Sequence, residues 1–214
     1  MGCDIHPYVE HRTKRIWHPS DIWVKDYRYN EKKKEFRIPC HCGIEHSRHY
    51  NWFAFLAGVR NRSWGERIPV LTEPRGLPKD CCPRIRGAAK SWGSDGHSHS
   101  YLTFGELEDG YRGHKDDRIG FYGALDDRSP SPELARWLET DEQSRSEPPG
   151  GYCSYGSGAG IYGYTFPRFR WHQRLSDLIG DTYSRWRGYL QNVSFEYRVP
   201  DDRQNIRVVF WFDN

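Results

Sequence analysis

The stretch Val193-Ser-Phe-Glu-Tyr-Arg-Val199, Pro200-Asp-Asp-Arg-Gln-Asn205, Ile206-Arg-Val-Val-Phe-Trp-Phe-Asp213 carries the clearest β signal in the chain. Two runs rich in β-branched and aromatic residues flank a polar segment headed by proline, which is the pattern of a hairpin. Alternation in the second run turns Val208, Phe210 and Phe212 toward a core. The opening residues alternate in the same way, with Cys3, Ile5, Pro7 and Val9 set against Asp4, His6, Tyr8 and Glu10. That is a strand with one apolar face and one face loaded with ionisable groups. Pro7 suits a sheet edge or a strand end.

Between these ends the chain reads as helices, short strands and loops. Ile16-Trp17 and Ile22-Trp23-Val24 suggest a second, short hairpin, and Glu31 to Lys34 a charged turn. Trp52, Phe53, Phe55, Leu56 and Val59 have helical spacing, which leaves Arg60 and Asn61 at the helix end. Residues 81–96 read as irregular. Thr103-Phe-Gly-Glu106 fits a capping box, and Ser131-Pro-Glu133 pairs an N-cap serine with proline at the first helical position. Leu175, Leu178, Ile179, Tyr183, Trp186 and Leu190 form a helical stripe weakened by Gly180. Residues 141–163 are polar and Gly-rich, a surface excursion, and the Tyr-rich segment with Tyr152, Tyr155, Tyr162 and Tyr164 could stack on bases. These features predict one α+β domain over residues 1–214. Its mostly antiparallel sheet would hold the N-terminal strand and the C-terminal hairpin, covered by a few aromatic-rich helices and long loops.

Composition narrows the function classes. The chain has 214 residues and a formal charge of +3, from 32 basic and 29 acidic residues, so it is not a polycation that coats duplex nucleic acid. Aromatics make up 15% of it, and rings bury large areas per residue. No apolar run approaches the 18 residues of a membrane span, and the polar start is no signal peptide, so a cytoplasmic setting is expected. In that setting the six cysteines are expected to be reduced thiols or ligands.

The chemistry concentrates in two histidine motifs, Asp4-Ile-His6 and Asp95-Gly-His-Ser-His-Ser100. On a strand, Asp-x-His puts both side chains on one face, and His97 and His99 repeat the spacing. If the two motifs meet, Asp4, His6, Asp95, His97 and His99 would hold a divalent metal (Zn, Mn or Mg) or act as acid and base. Arg60, Asn61, Arg75, Ser98 and Ser100 are the matching ligand-binding candidates, since guanidinium forks suit phosphate. Cys40, Cys42, His46 and His49 form a denser but irregularly spaced set, a weak structural-zinc candidate.

Asp-x-His-x-His-Ser resembles the first metal motif of polymerase-and-histidinol-phosphatase-type phosphoesterases. Gly-His-Ser-His is similar to the last motif of calcineurin-like metallophosphoesterases, whose first motif is Asp-x-His. Neither fold carries over, because too little chain follows His99 for the first and the intervening motifs of the second are missing. At both ends and in the middle the chain resembles a family of small bacteriophage-encoded proteins. The resemblance rests on Met-Gly-Cys-Asp-Ile-His6, Phe53-Ala-Phe-Leu-Ala-Gly-Val-Arg-Asn61, Pro74-Arg-Gly-Leu-Pro78, Asp95-Gly-His-Ser-His-Ser-Tyr-Leu-Thr103 and Val209-Phe-Trp-Phe-Asp-Asn214. It implies a phage source and a host-cytoplasm setting, and by analogy with phage accessory proteins of this size a counter-defence role is expected. The expected function is hydrolysis of a phosphoester, a nucleotide or cyclic nucleotide signal. The alternatives are sequestration of the same ligand class without turnover, and a protein-interaction module, with a homo-oligomer compatible with each.

Overall fold

The computed structural model describes residues 2–25, 35–40, 44, 48–61, 66–125, 131–140, 148–149, 152–154 and 168–213. The central element is β9 (Ile206–Phe212), buried at all seven positions. It pairs antiparallel with β1 (Ile5–Thr13) on one side and β5 (His97–Thr103) on the other. β2 (Ile16–Pro19) extends β1, giving a four-stranded sheet in the order β2-β1-β9-β5. A two-stranded sheet joins β3 (Ile22–Lys25) to β4 (Glu35–Ile38). A three-stranded sheet places β6 (Arg118–Leu125) between β7 (Tyr152–Ser154) and β8 (Arg168–Arg174). The chain is therefore α+β with antiparallel sheets.

Total burial of β9 follows from two cores, one on each face. Phe210 and Phe212 pack with Trp52, Phe53 and Phe55 of α1 (Tyr50–Ala57) and with Trp186 and Leu190 of α5 (Leu175–Tyr197). Val209 and Trp211 pack on the other side with Ile85 and Ala89 of α2 (Pro83–Ser91). Residues 81–96, expected to be irregular, contain that helix, with Pro83 at its start.

The expected C-terminal hairpin does not form. Val193 and Tyr197 belong to α5, where Trp186, Leu190 and Val193 continue one buried stripe at helical spacing. Val193, Phe195, Tyr197 and Val199 also alternate, but Phe195 is 85% exposed, so the helical period prevails. Arg198 in the left-handed region ends α5, and α6 (Asp202–Asn205) leads into β9. The short hairpin expected from Ile16 to Val24 also separates, since β2 pairs with β1 and β3 with β4.

Pro7 shows how the sheet accommodates an imino acid. The Val9 backbone donates to the Cys40 carbonyl and accepts from Ser20 N, both on the side away from β9. Pro7 lies two residues earlier, so its missing N–H faces that side too and costs no β1–β9 bond. β2 reaches only Glu10 to Thr13, leaving the Pro7 stretch open there.

β5 runs directly into α3 (Phe104–His114) through the expected capping box. Thr103 Oγ1 accepts from Glu106 N at 3.1 Å, and Thr103 N donates to Glu106 Oε2 at 2.8 Å. Ser131 caps α4 (Pro132–Glu139) in the expected place. Thr103→Ala should cost about 1 kcal/mol, the usual size of a lost N-cap, measured as a shift in the urea midpoint.

Candidate anion-binding cleft

β9 separates the two histidine motifs, and a bulge separates His97 from His99. In the sheet, Ile5, Phe212 and His97 lie abreast, and so do Pro7, Phe210 and Ser100. Ser98 and His99 together face the single residue Trp211, which makes a β-bulge in β5. Ser98 takes the extra turn with a left-handed φ of 51°. The strict alternation expected for Asp95 to Ser100 therefore breaks. The His97 ring stacks on Phe212 at 6.1 Å, while the His99 ring stacks on Trp211 at 5.8 Å on the opposite face.

On the Trp211 face, the His6 ring lies 4.0 Å from Trp92 and 5.9 Å from Trp211. Its Nε2 lies 3.3 Å from Asp213 Oδ2, and Asp213 Oδ1 accepts from Asp4 N at 2.8 Å. The Asp4 carboxylate is held by both guanidinium arms of Arg48. His99 is shifted downward from the ordinary imidazole pKa, first by burial and then by the nearby His97. Asp4, His6 and Tyr8 are half-buried on one face, whereas Ile5 and Val9 are buried, as the alternation predicts. Asp95 stays exposed in the turn after α2.

Among the described residues, no group of three or more His, Cys, Asp and Glu side chains comes together in a way that could hold a metal ion. For the zinc candidate, Cys42 and His46 lie outside the described residues. Cys40 is buried with Cys81 and Cys82, and burial pushes its thiol up to about 11. Cys40 N donates to Asp21, whose backbone carbonyl accepts from the Tyr197 hydroxyl. His49 instead hydrogen-bonds Thr182, about four turns back along α5, or about 20 Å by the helical rise. Cys40 and His49 therefore do not share one site. Tyr152 lies in β7, and Tyr155, Tyr162 and Tyr164 lie outside the described residues.

The open feature is on the Phe212 face. A cleft of about 570 Å³ lies between the end of α1, the 67–74 segment and the β5 bulge. Arg60, Arg67, His97 and Ser98 supply its cationic and hydrogen-bonding groups, Val59 and Val70 its apolar surface, and Glu73 a carboxylate. Gly58 ends α1 with φ 69°, and Arg60 follows with φ 57°. Ser98 and Arg60 are thus two non-glycine residues in the left-handed region on one cleft, a conformation that costs about 1–3 kcal/mol per residue and gathers at ligand sites.

The rim is held by its own polar groups. The Asn61 amide clamps Ile68 from both sides: Asn61 Nδ2 donates to the Ile68 carbonyl at 2.8 Å, and Ile68 N donates to Asn61 Oδ1 at 2.9 Å. Leu71 N and Thr72 N donate to the Phe55 and Leu56 carbonyls of α1. Arg75 ties the same segment down, donating to Thr72 Oγ1 and Glu106 Oε1 and lying over Tyr101. Ser100 is buried and accepts from Arg75 N. Arg75 and Ser100 therefore build the cleft, Arg60, His97 and Ser98 line it, and Asn61 does both.

His97 Nδ1 lies 3.0 Å from Ser98 Oγ, and His97 Nε2 is buried with no hydrogen-bond partner among the described residues. Arg60 lies against the ring of Tyr50 and contacts the Cys3 thiol, which burial raises above its ordinary value against that contact. Arg67 and Glu73 went unrecognised in the sequence. Their segment has no periodicity, and contacts with other parts of the chain, the Asn61–Ile68 clamp, Glu66 N on the Gly120 carbonyl and the 71–72 backbone on α1, bring them to the cleft.

No family model, no curated protein and no solved structure matches the chain. Among the described residues, no helix is long and apolar enough to cross a membrane.

Proposed function

We propose that the protein binds a small phosphorylated ligand of the nucleotide class in this cleft. The observation that carries the reading is the convergence of Arg60, Arg67, His97 and Ser98 on one cavity of about 570 Å³. That volume falls within the usual range for small-molecule sites, roughly 300–1,000 Å³. Two guanidinium groups, an imidazole and a hydroxyl suit a phosphoryl group, because each can donate to its oxygens. The rim is fixed by backbone hydrogen bonds and the Asn61 clamp, so little ordering would be needed on binding. In the setting that the resemblance to phage proteins implies, the ligand would be a host nucleotide signal and the role its capture.

Hydrolysis is the second reading, and the orphan His97 Nε2 favours it. An imidazole with one nitrogen on a hydroxyl and the other unpartnered can serve as an acid-base group once a turn of the ring brings the buried Nε2 to the ligand. One experiment separates the readings. Calorimetric titration with nucleoside monophosphates, cyclic nucleotides and cyclic dinucleotides should find a binder, and Arg67→Glu should weaken it by ~10-fold or more through charge reversal. Product analysis then tests turnover. Hydrolysis that falls ~10²-fold in His97→Ala makes the protein an enzyme, whereas binding without product makes it a capture protein. If no phosphorylated compound binds, or Arg67→Glu changes nothing, the cleft is not an anion site.

A further inference from the structure

Arg67 and Glu73 line the same cleft with opposite charges, and neither makes an ion pair with a described residue. Some surface charges in this protein pair, such as Arg170 with Glu66, Arg187 with Glu108, Arg203 with Asp109 and Arg48 with Asp4, and others, such as Lys14, Lys79 and Asp95, stand alone among the described residues as Arg67 and Glu73 do. Both residues sit on fixed backbone. Asn61 clamps Ile68 beside Arg67, Thr72 Oγ1 donates to the Glu73 carbonyl at 2.9 Å, and Arg75 Nε donates to Thr72 Oγ1 at 2.7 Å. The cleft therefore combines cationic groups with one carboxylate, and the backbone beside Arg67 and at Glu73 is held in place.

A carboxylate in an anion-binding cleft is a liability unless the ligand brings donors to it. It repels a bare phosphate, and it accepts hydrogen bonds from paired hydroxyl groups. On the reading of the cleft as a phosphate-ester site, we propose that Glu73 selects ligands that carry a vicinal diol, such as a ribose, at the end away from the phosphate. Inorganic phosphate and esters without such donors would be rejected because they leave the carboxylate desolvated and unpaired.

The test uses the full-length chain and calorimetric titration with adenosine 5′-monophosphate, its 2′,3′-dideoxy analogue, inosine 5′-monophosphate and inorganic phosphate. Wild type should prefer the diol over the dideoxy compound by ~10-fold or more, since a site built to hydrogen-bond a hydroxyl rejects the analogue lacking it. Glu73→Gln, at an exposed position where the fold is unaffected, should shrink that ratio to about twofold and strengthen binding of inorganic phosphate. Equal binding of diol and dideoxy compounds by wild type overturns the proposal, and so does a ratio that survives Glu73→Gln. If the preference instead follows the adenine amino group, seen against inosine monophosphate, and Glu73→Gln erases it, the carboxylate reads an amine and the diol assignment is wrong. In each of these cases Arg67→Glu still weakens binding by ~10-fold or more. If it does not, or if no compound binds, the anion site itself fails and this inference fails with it.

Discussion

Arg207→Met should cost about 3–5 kcal/mol of stability, the range found when one partner of a buried ion pair is removed. Glu10 and Arg207 face each other across β1 and β9, and both are almost fully buried. Arg207 Nε donates to Glu10 Oε2 at 2.7 Å, and Arg207 Nη1 donates to Asp80 Oδ1 at 2.8 Å. The guanidinium lies 3.8 Å from the Trp17 ring centre. The other Glu10 oxygen accepts from Cys82 N at 2.7 Å, at the start of α2, and from the Cys81 thiol. Methionine would keep much of the packing against Trp17 but leave a buried carboxylate with no cation. The cost is therefore electrostatic, and the double variant Glu10→Met/Arg207→Met should recover most of it. About 1 kcal/mol should stay lost in the double variant, because Cys82 N then has no acceptor. Urea unfolding of Arg207→Met, of Glu10→Met alone and of the double variant, each against wild type, gives the coupling energy. A single-variant cost below about 1 kcal/mol would mean that the pair does not hold the sheet to α2.

The stability of the native state should also fall as pH drops from about 6.5 to about 4, through His11. This imidazole is buried and hydrogen-bonded to Ser20 Oγ at 3.0 Å, and it is stacked on Tyr197 at 3.8 Å between ring centres. Its pKa is lowered from 6.5 to about 4, first by burial and then by the neighbouring His18. The unfolded chain therefore takes up a proton in this window that the folded chain refuses. The contribution of the neutral ring is complete above pH 6.5 and is lost as pH falls toward about 4. At 1.36 kcal/mol per unit, the loss is about 3 kcal/mol. His11→Phe keeps a stacked ring and removes the titration. It should be less stable than wild type at pH 7, since Ser20 loses a partner, yet should flatten the pH dependence between 6.5 and 4 by that amount. Parallel curves for the two proteins would show that His11 is not the group refusing the proton.

The strands and helices that were legible obey local rules, but of the pieces lining the cleft only α1 is among them. β1 reads from its alternation, α1 from its aromatic spacing, and α3 and α4 from their caps. Failures arose where two rules competed or where long-range contact decided. Val193 to Val199 satisfy both a period of two and a helical stripe, and the core on Trp186 and Leu190 selects the helix. His97 and His99 look equivalent in a strand, but the bulge at Ser98 sends them to opposite faces. Arg75 looked like a phosphate ligand and instead pins the rim through Thr72 and Glu106. Arg67 and Glu73 carry no local signal, since contacts with other parts of the chain bring them to the cleft.

The position of β9 has a consequence for the order of assembly. β1 and β5 touch β9 but not each other, and β9 follows them both in sequence. A nascent chain that has emerged only as far as α5 has no central strand on which to build this sheet. β1 then presents an unpaired apolar edge from Ile5 to Val9 until Ile206–Phe212 arrives, and their register joins residues as far apart as Ile5 and Phe212. Such distant pairings close slowly, because the loop entropy is lost before the contact forms. During synthesis the waiting edge is open to other chains. The strand that makes the finished sheet most stable is therefore also the one that leaves the unfinished chain most vulnerable.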